Sequence, residues 1–190
     1  RGAAGSLGIR PASCPPRDQP RVVHVYTIGL NCLDACNDED LEVKSPQHFK
    51  VPKLVSRYWD AFKTDQKRPN QPGILKHIGE NTEFIKVAIK SASLWEFLAD
   101  AKHHLKAFFV AHDSMVANEV IFCAHGRHRS VSWARVYIEM LRMAGYVTRG
   151  PTHLGQPWWW SGICDSCSSC SPNGEKDELF VDAFERWCTL

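Results

Sequence analysis

The chain has no run of roughly 18 apolar residues, the length a helix needs to cross a bilayer, so no membrane span is expected. It has no secretory h-region and no internal repeat. It also lacks a strong excess of either charge. Lys and Arg number 23 against 21 Asp and Glu, a net charge of +2, whereas a dedicated nucleic-acid domain is usually more basic. The first residue is Arg1 rather than Met, as expected of a fragment or processed form, and that leaves room for an upstream targeting segment.

What is present is a chain of 190 residues, 44% apolar, enough for one domain with a real core. Its 8 cysteines cluster late in a long chain, which favours metal binding or catalysis in a reducing, cytoplasmic setting over a disulfide framework.

Residues 1–20 are rich in Gly, Pro and Arg without periodicity and read as a disordered leader. A β-rich run from Val22 to Ile28 is closed by Gly29, and "LEVK" at 41–44 reads as a short strand. Apolar spacing in "PKLVSRYWDAFK" (52–63) predicts a helix. "ILKHIGENTEFIKVAI" predicts a short helix and a neighbour. The clearest helix is "SASLWEFLADAKHHLKAFFVAH", with Ser91 or Ser93 as cap and Leu94, Phe97, Leu98, Ala101, Leu105 and Phe108 on one face. A strand at Glu119–Cys123, a helix over 130–145 ending at Gly145, and a strand at 146–149 complete a β-loop-α-β unit. The fold class is therefore α/β: a single domain with a central, mostly parallel sheet, over 21–154. A Trp- and Cys-rich tail with a terminal helix occupies 155–190.

The most informative stretch is "CAHGRHRS", Cys123 to Ser130. A loop running from a strand into a helix N-terminus aims backbone N–H groups at one point, where the helix dipole also favours an anion. Gly126 supplies the positive φ that a tight loop needs. Arg129 offers a planar, bidentate clamp for phosphate oxygens, and His125, Arg127 and His128 add positive potential. Cys123, Ala124, His125, Gly126, Arg127, His128, Arg129 and Ser130 are thus the candidate phosphate-binding residues. The bland alternative is a structural cysteine beside surface basic residues.

The loop resembles two families. One is the cysteine-dependent phosphatases, with the pattern H-C-x2-G-x2-R-[ST]. It matches at Cys123, Gly126, Arg129 and Ser130, but Phe122 stands where that pattern has His. That resemblance implies nucleophilic attack by Cys123 with Arg129 holding the transferring group, and it calls for a general acid. Asp113 lies at the far end of the Cys123 strand, roughly 20 Å or more away. Asp34, Asp38 and Asp40 follow the first strand and could approach the loop.

The second resemblance is longer. "CAHGRHRSVSWA" is similar to the C-terminal domain of the RNase adapter (RapZ) family, whose loop reads G-C-x-G-G-x-H-R-S-V. His128-Arg129-Ser130-Val131 is identical to that pattern. Weaker likeness runs from "VHVYTIGL" through "EDLEVK" and "PGILKHIGENTEFI" to His153-Leu154. It implies an α/β domain that binds a phosphorylated amino sugar or nucleotide without turning it over. It also implies RNA binding, homo-oligomerisation and a ligand role for His153. His125 replaces a loop glycine of that family.

Cys164-x2-Cys167-x2-Cys170 is the second signal. Sulfurs two residues apart close on one metal, and zinc is the first choice. Disulfides, free thiols and an iron–sulfur cluster are the other readings. Cys188 is taken as the fourth ligand, with His153, Cys32 and Cys36 as further candidates. Trp158-Trp159-Trp160 read either as a hydrophobic plug or as a stacking platform for a base or sugar. Lys102, His103, His104 and Lys106 could form a basic patch, but such sets are usually a solvated face. His24 is either a core histidine or a site residue.

The leading expectation is a non-catalytic domain that captures a phosphorylated small molecule on 123–130. The alternatives are a thiol-dependent phosphatase using Cys123 and Arg129, and a zinc-stapled module that contacts RNA or protein.

Overall fold

Residues 20–29, 55–62, 64–112, 114–154, 164 and 167–190 are described by the computed structural model of the chain. Nearly all of the expected leader, the 41–44 strand, Asp34, Asp38, Asp40, Asp113, Cys14, Cys32, Cys36 and the three consecutive tryptophans lie outside those residues. Among the described residues no helix is long and apolar enough to cross a membrane.

Four parallel strands form one sheet: β1 (Val22–Gly29), β2 (Arg57–Asp60), β3 (Val116–Cys123) and β4 (Val147–His153), in the order β2-β3-β1-β4. The described helices are α1 (Thr82–Ile89), α2 (Ala92–Ala111), α3 (Arg129–Met143) and α4 (Gly174–Thr189). A 3₁₀ turn spans Ile74–Lys76. The expected α/β class with a parallel sheet is what is found.

The central strands β1 and β3 carry apolar residues to both faces, as strands covered on both sides must. Val23, Val25, Ala117 and Ile121 join the main core, where Phe97 of α2 lies among Trp59, Trp133 and Tyr137. Ile28, Val120 and Leu154 form a smaller cluster of their own. Helix α3 carries the chain from β3 past β1 to β4 and is buried along most of its length. The tail is not an appendage: Phe180, Ala183 and Trp187 of α4 sit in the same core.

Two expectations are corrected. Residues 57–60 form a strand rather than part of a helix. Trp59 is buried and its indole N–H donates to Glu119 Oε2 at 2.9 Å, so pairing with β3 overrides the helical spacing. At the start of α2, Ser91 makes no side-chain capping bond. Asp65 does that work from outside the helix, accepting from the N–H groups of Ala92 (3.0 Å) and Ser93 (3.1 Å) and from the Ser91 hydroxyl. The Ser91 hydrogen bond, with the others, holds the Asp65 carboxyl well below the usual range.

In the sheet, Gly29 and Cys123 are register partners, so the loops leaving β1 and β3 emerge side by side. From β3 the chain crosses β1 to reach β4, while β2 lies on the other side. Parallel sheets bind ligands at such a divergence, outside the carboxyl ends of the strands.

Candidate functional site

The Cys123–Ser130 loop is shaped by two glycines that pass back to back. Gly126 has φ 64°, and a Cβ on it would lie 2.4 Å from the Gly29 nitrogen. A Cβ on Gly29 would lie 2.9 Å from the His125 carbonyl carbon. Only hydrogen at both positions lets the loop fold over the end of β1. Among the described residues, the N–H groups of Ala124, His125, Gly126, Arg129 and Ser130 have no backbone acceptor, and they surround the start of α3.

Beside the loop lies a cleft of about 210 Å³. Cys123, Ala124, His125, His128 and Arg129 line it from the loop. Gln66, Lys67 and Arg68 line it from the segment after β2, and Phe62, Leu75 and Phe84 complete the wall. No carboxylate is among the described residues that line it. Sequence reading missed Lys67 and Arg68; their signal was the basic pair in "TDQKRPNQPG".

The four basic residues of the loop do different work. Arg129 donates one N–H to the Phe62 carbonyl at 3.1 Å, which steadies it at the cleft and, among the described residues, leaves a guanidinium's other donors for a ligand. His125 lines the cleft. His128 is stacked on Phe84, with centroids 4.6 Å apart, and donates Nε2–H to the His77 carbonyl at 2.9 Å. Burial, and then the charge of Arg127, push its pKa down to about 4, so its ring is neutral near pH 7. Arg127 does not line the cleft; it donates to the Leu75 carbonyl at 3.0 Å. The expected positive potential is therefore corrected. The His128 ring, neutral near pH 7, adds no charge to the cleft, while Arg127 keeps its charge but sits outside the lining; both also brace the loop. Cys123 is buried, with Sγ 3.3 Å from the Ser130 hydroxyl.

His153 does not line this cleft. Its Nδ1 meets the Thr27 hydroxyl at 2.8 Å and its Nε2 lies 3.6 Å from Glu80. His24, five residues before the end of β1, meets the Tyr26 hydroxyl at 3.3 Å. Lys102 donates to the Trp187 carbonyl and His104 turns toward Trp59, while His103 and Lys106 are exposed.

The second cluster is a group of three cysteines and a histidine. His77 Nδ1 lies 3.6 Å from Cys164 Sγ, 3.4 Å from Cys167 Sγ and 3.5 Å from Cys170 Sγ. All four ligand atoms lie within 4.8 Å of one another, and the group could hold a metal ion. Cys188 is exposed on α4 and takes no part, so His77 replaces it as the fourth corner. His77 sits in a turn 87 residues before Cys164, and no local spacing could have announced it. The cysteines are free thiols; Cys164 and Cys170 sulfurs are 3.3 Å apart, far beyond the roughly 2.05 Å of a disulfide. Burial and the neighbouring sulfurs push the Cys170 thiol up, because three thiolates this close repel one another. A bound cation would relieve that repulsion. Two cations attend the group: Arg127 interacts with Cys164, and the buried Lys176 with Cys170 and Cys167.

A scan against protein-family models gave no match for the chain, and a search of curated proteins gave none.

Proposed function

We propose that this chain is a phosphate-anion-binding domain, of the kind found at the C-terminus of RNase adapter proteins, that captures a phosphorylated small molecule without hydrolysing it. The observation that carries this reading is the cleft against the Cys123–Ser130 loop. It combines the N-terminus of α3 with Lys67, Arg68, His125 and Arg129, and none of its described lining residues is a carboxylate. An anion gains from every charge in that wall. Phosphoryl transfer to a thiol would also need an acid beside the leaving oxygen.

The close approach of Ser130 to the Cys123 sulfur favours a second reading, since a hydroxyl at that distance can stabilise a thiolate nucleophile. The two readings part at Cys123→Ser. A binding domain keeps its affinity for inorganic phosphate or a sugar phosphate in this variant, because backbone amides and Arg129 supply the attraction. A phosphatase loses turnover. Arg129→Ala tests the site itself, and calorimetry should find phosphate binding weakened about tenfold or more, in line with the loss of a charge-assisted bond.

Zinc is the metal that suits the second cluster. Ideal bond lengths place tetrahedral nitrogen–sulfur edges at about 3.5 Å and sulfur–sulfur edges at about 3.8 Å. The three edges from His77 match, and the Cys164–Cys170 edge is shorter than ideal. A closed Cys₃His set is a structural site, with no open position for a reacting water. A cluster of several irons needs ligand sulfurs spread more widely than a single ion does.

A further inference from the structure

The metal cluster and the anion cleft share one short segment. The turn at 73–79 presents its His77 ring to the three cysteines and its backbone to the phosphate loop. Three hydrogen bonds join turn and loop: His128 Nε2–H to the His77 carbonyl at 2.9 Å, Arg127 to the Leu75 carbonyl at 3.0 Å, and the Gly79 N–H to the Arg127 carbonyl at 2.9 Å. The fit is close. A Cβ on Gly79 would lie 2.0 Å from the His128 carbonyl oxygen and 2.7 Å from the Ser132 nitrogen.

The same knot holds the next wall of the cleft. The first N–H of α1, at Thr82, donates to the Ser169 carbonyl at 3.0 Å, between two of the cysteines. Phe84 of α1 then stacks on His128 and lines the cleft, as Leu75 of the turn does. Without a cation, backbone hydrogen bonds hold the cysteines in their own turn, but the His77 ring meets them through weak thiol contacts, against the repulsion of any thiolates among them.

We infer that metal occupancy of the His77–Cys164–Cys167–Cys170 centre sets the affinity of the anion cleft, by holding the 73–79 turn against the Arg127–His128 strut. This rests on the anion-binding reading above. The sign follows from geometry rather than charge. A divalent ion bound by three thiolates and a neutral imidazole carries one net negative charge, and Arg127 and Lys176 lie beside it. Its field does not attract an anion, so a gain in affinity on metal binding has to be mechanical.

The test titrates the full chain with inorganic phosphate, first with one zinc per chain and then after chelation and zinc return. Far-UV circular dichroism checks that the apo form is folded. Chelation should weaken phosphate binding at least about fivefold, the low end of ordinary coupling between two sites, and zinc should restore it. By reciprocity, saturating phosphate should raise zinc affinity by the same factor. Equal phosphate affinity with and without zinc overturns the inference. If the apo chain unfolds, Gly79→Ala decides: Gly79 is neither a lining residue of the cleft nor a metal ligand, its Cβ would press on the His128 strut, and the variant should keep one zinc while losing phosphate affinity by a similar factor. Native affinity in that variant overturns the inference. If zinc-loaded wild type binds no phosphate at all, the anion reading has failed. Hydrogen exchange at the Gly79 amide then tests the coupling alone: faster exchange without metal supports it, and unchanged exchange overturns it.

Discussion

Gly126 and Gly29 show how much of the site depends on single residues. With φ at 64°, Gly126 occupies the region where an L side chain costs about 1–2 kcal/mol, before any clash with Gly29 is counted. Gly126→Ala should therefore lower stability by at least about that amount in urea unfolding and remove phosphate binding. This glycine was legible in the sequence, since a tight loop from strand to helix calls for a residue that accepts positive φ. The division of labour among the basic residues was not. The bends at 124–128 decide which way each side chain faces, and no one-dimensional pattern records that. Arg127 and His128 thus look like ligand cations in the sequence and act as braces in the fold. His77 was invisible for another reason: its ligand partners come from the far end of the chain.

At the level of elements, the strand–loop–helix unit was readable from end to end, because β3, the glycine turn and α3 follow one another in sequence. β2 was not. Its four residues are too few for periodicity to speak, and Trp59 is placed by β3 rather than by its neighbours. The knot and α1 make a related point. Asn81 is buried and caps α1 through the Glu83 N–H at 3.0 Å, one residue after the turn that carries Gly79 and Glu80. Asn81→Ala should cost about 1–2 kcal/mol, read as a lower urea midpoint with an unchanged slope. Because α1 presents Phe84 to the cleft, the same variant should also weaken phosphate binding.

Across the whole molecule, one buried carboxyl ties the sheet to its helices. Glu119 of β3 accepts from Trp59 of β2 and from the Tyr137 hydroxyl of α3, at 2.9 Å each, and lies 3.8 Å from His104 of α2. Burial pushes its pKa up to about 7. A carboxyl with a raised folded-state pKa contributes its full stability below its unfolded value of about 4.5, and loses it as pH rises through 7. Glu119→Gln, which cannot ionise, should gain on wild type between pH 5 and pH 8, by on the order of 1–3 kcal/mol in urea unfolding. Half-buried His104 works in the opposite direction, with its pKa lowered first by desolvation. A difference that does not change with pH would mean that Glu119 is ionised throughout.

The central claim is that the loop holds phosphate and does not break it. It is tested most directly by adding a phosphorylated sugar to zinc-loaded wild type and to Cys123→Ser, with calorimetric binding and phosphate release followed on the same samples. The account predicts the same affinity in both proteins and no release from either. Release by wild type that disappears in Cys123→Ser would contradict it and make Cys123 a nucleophile.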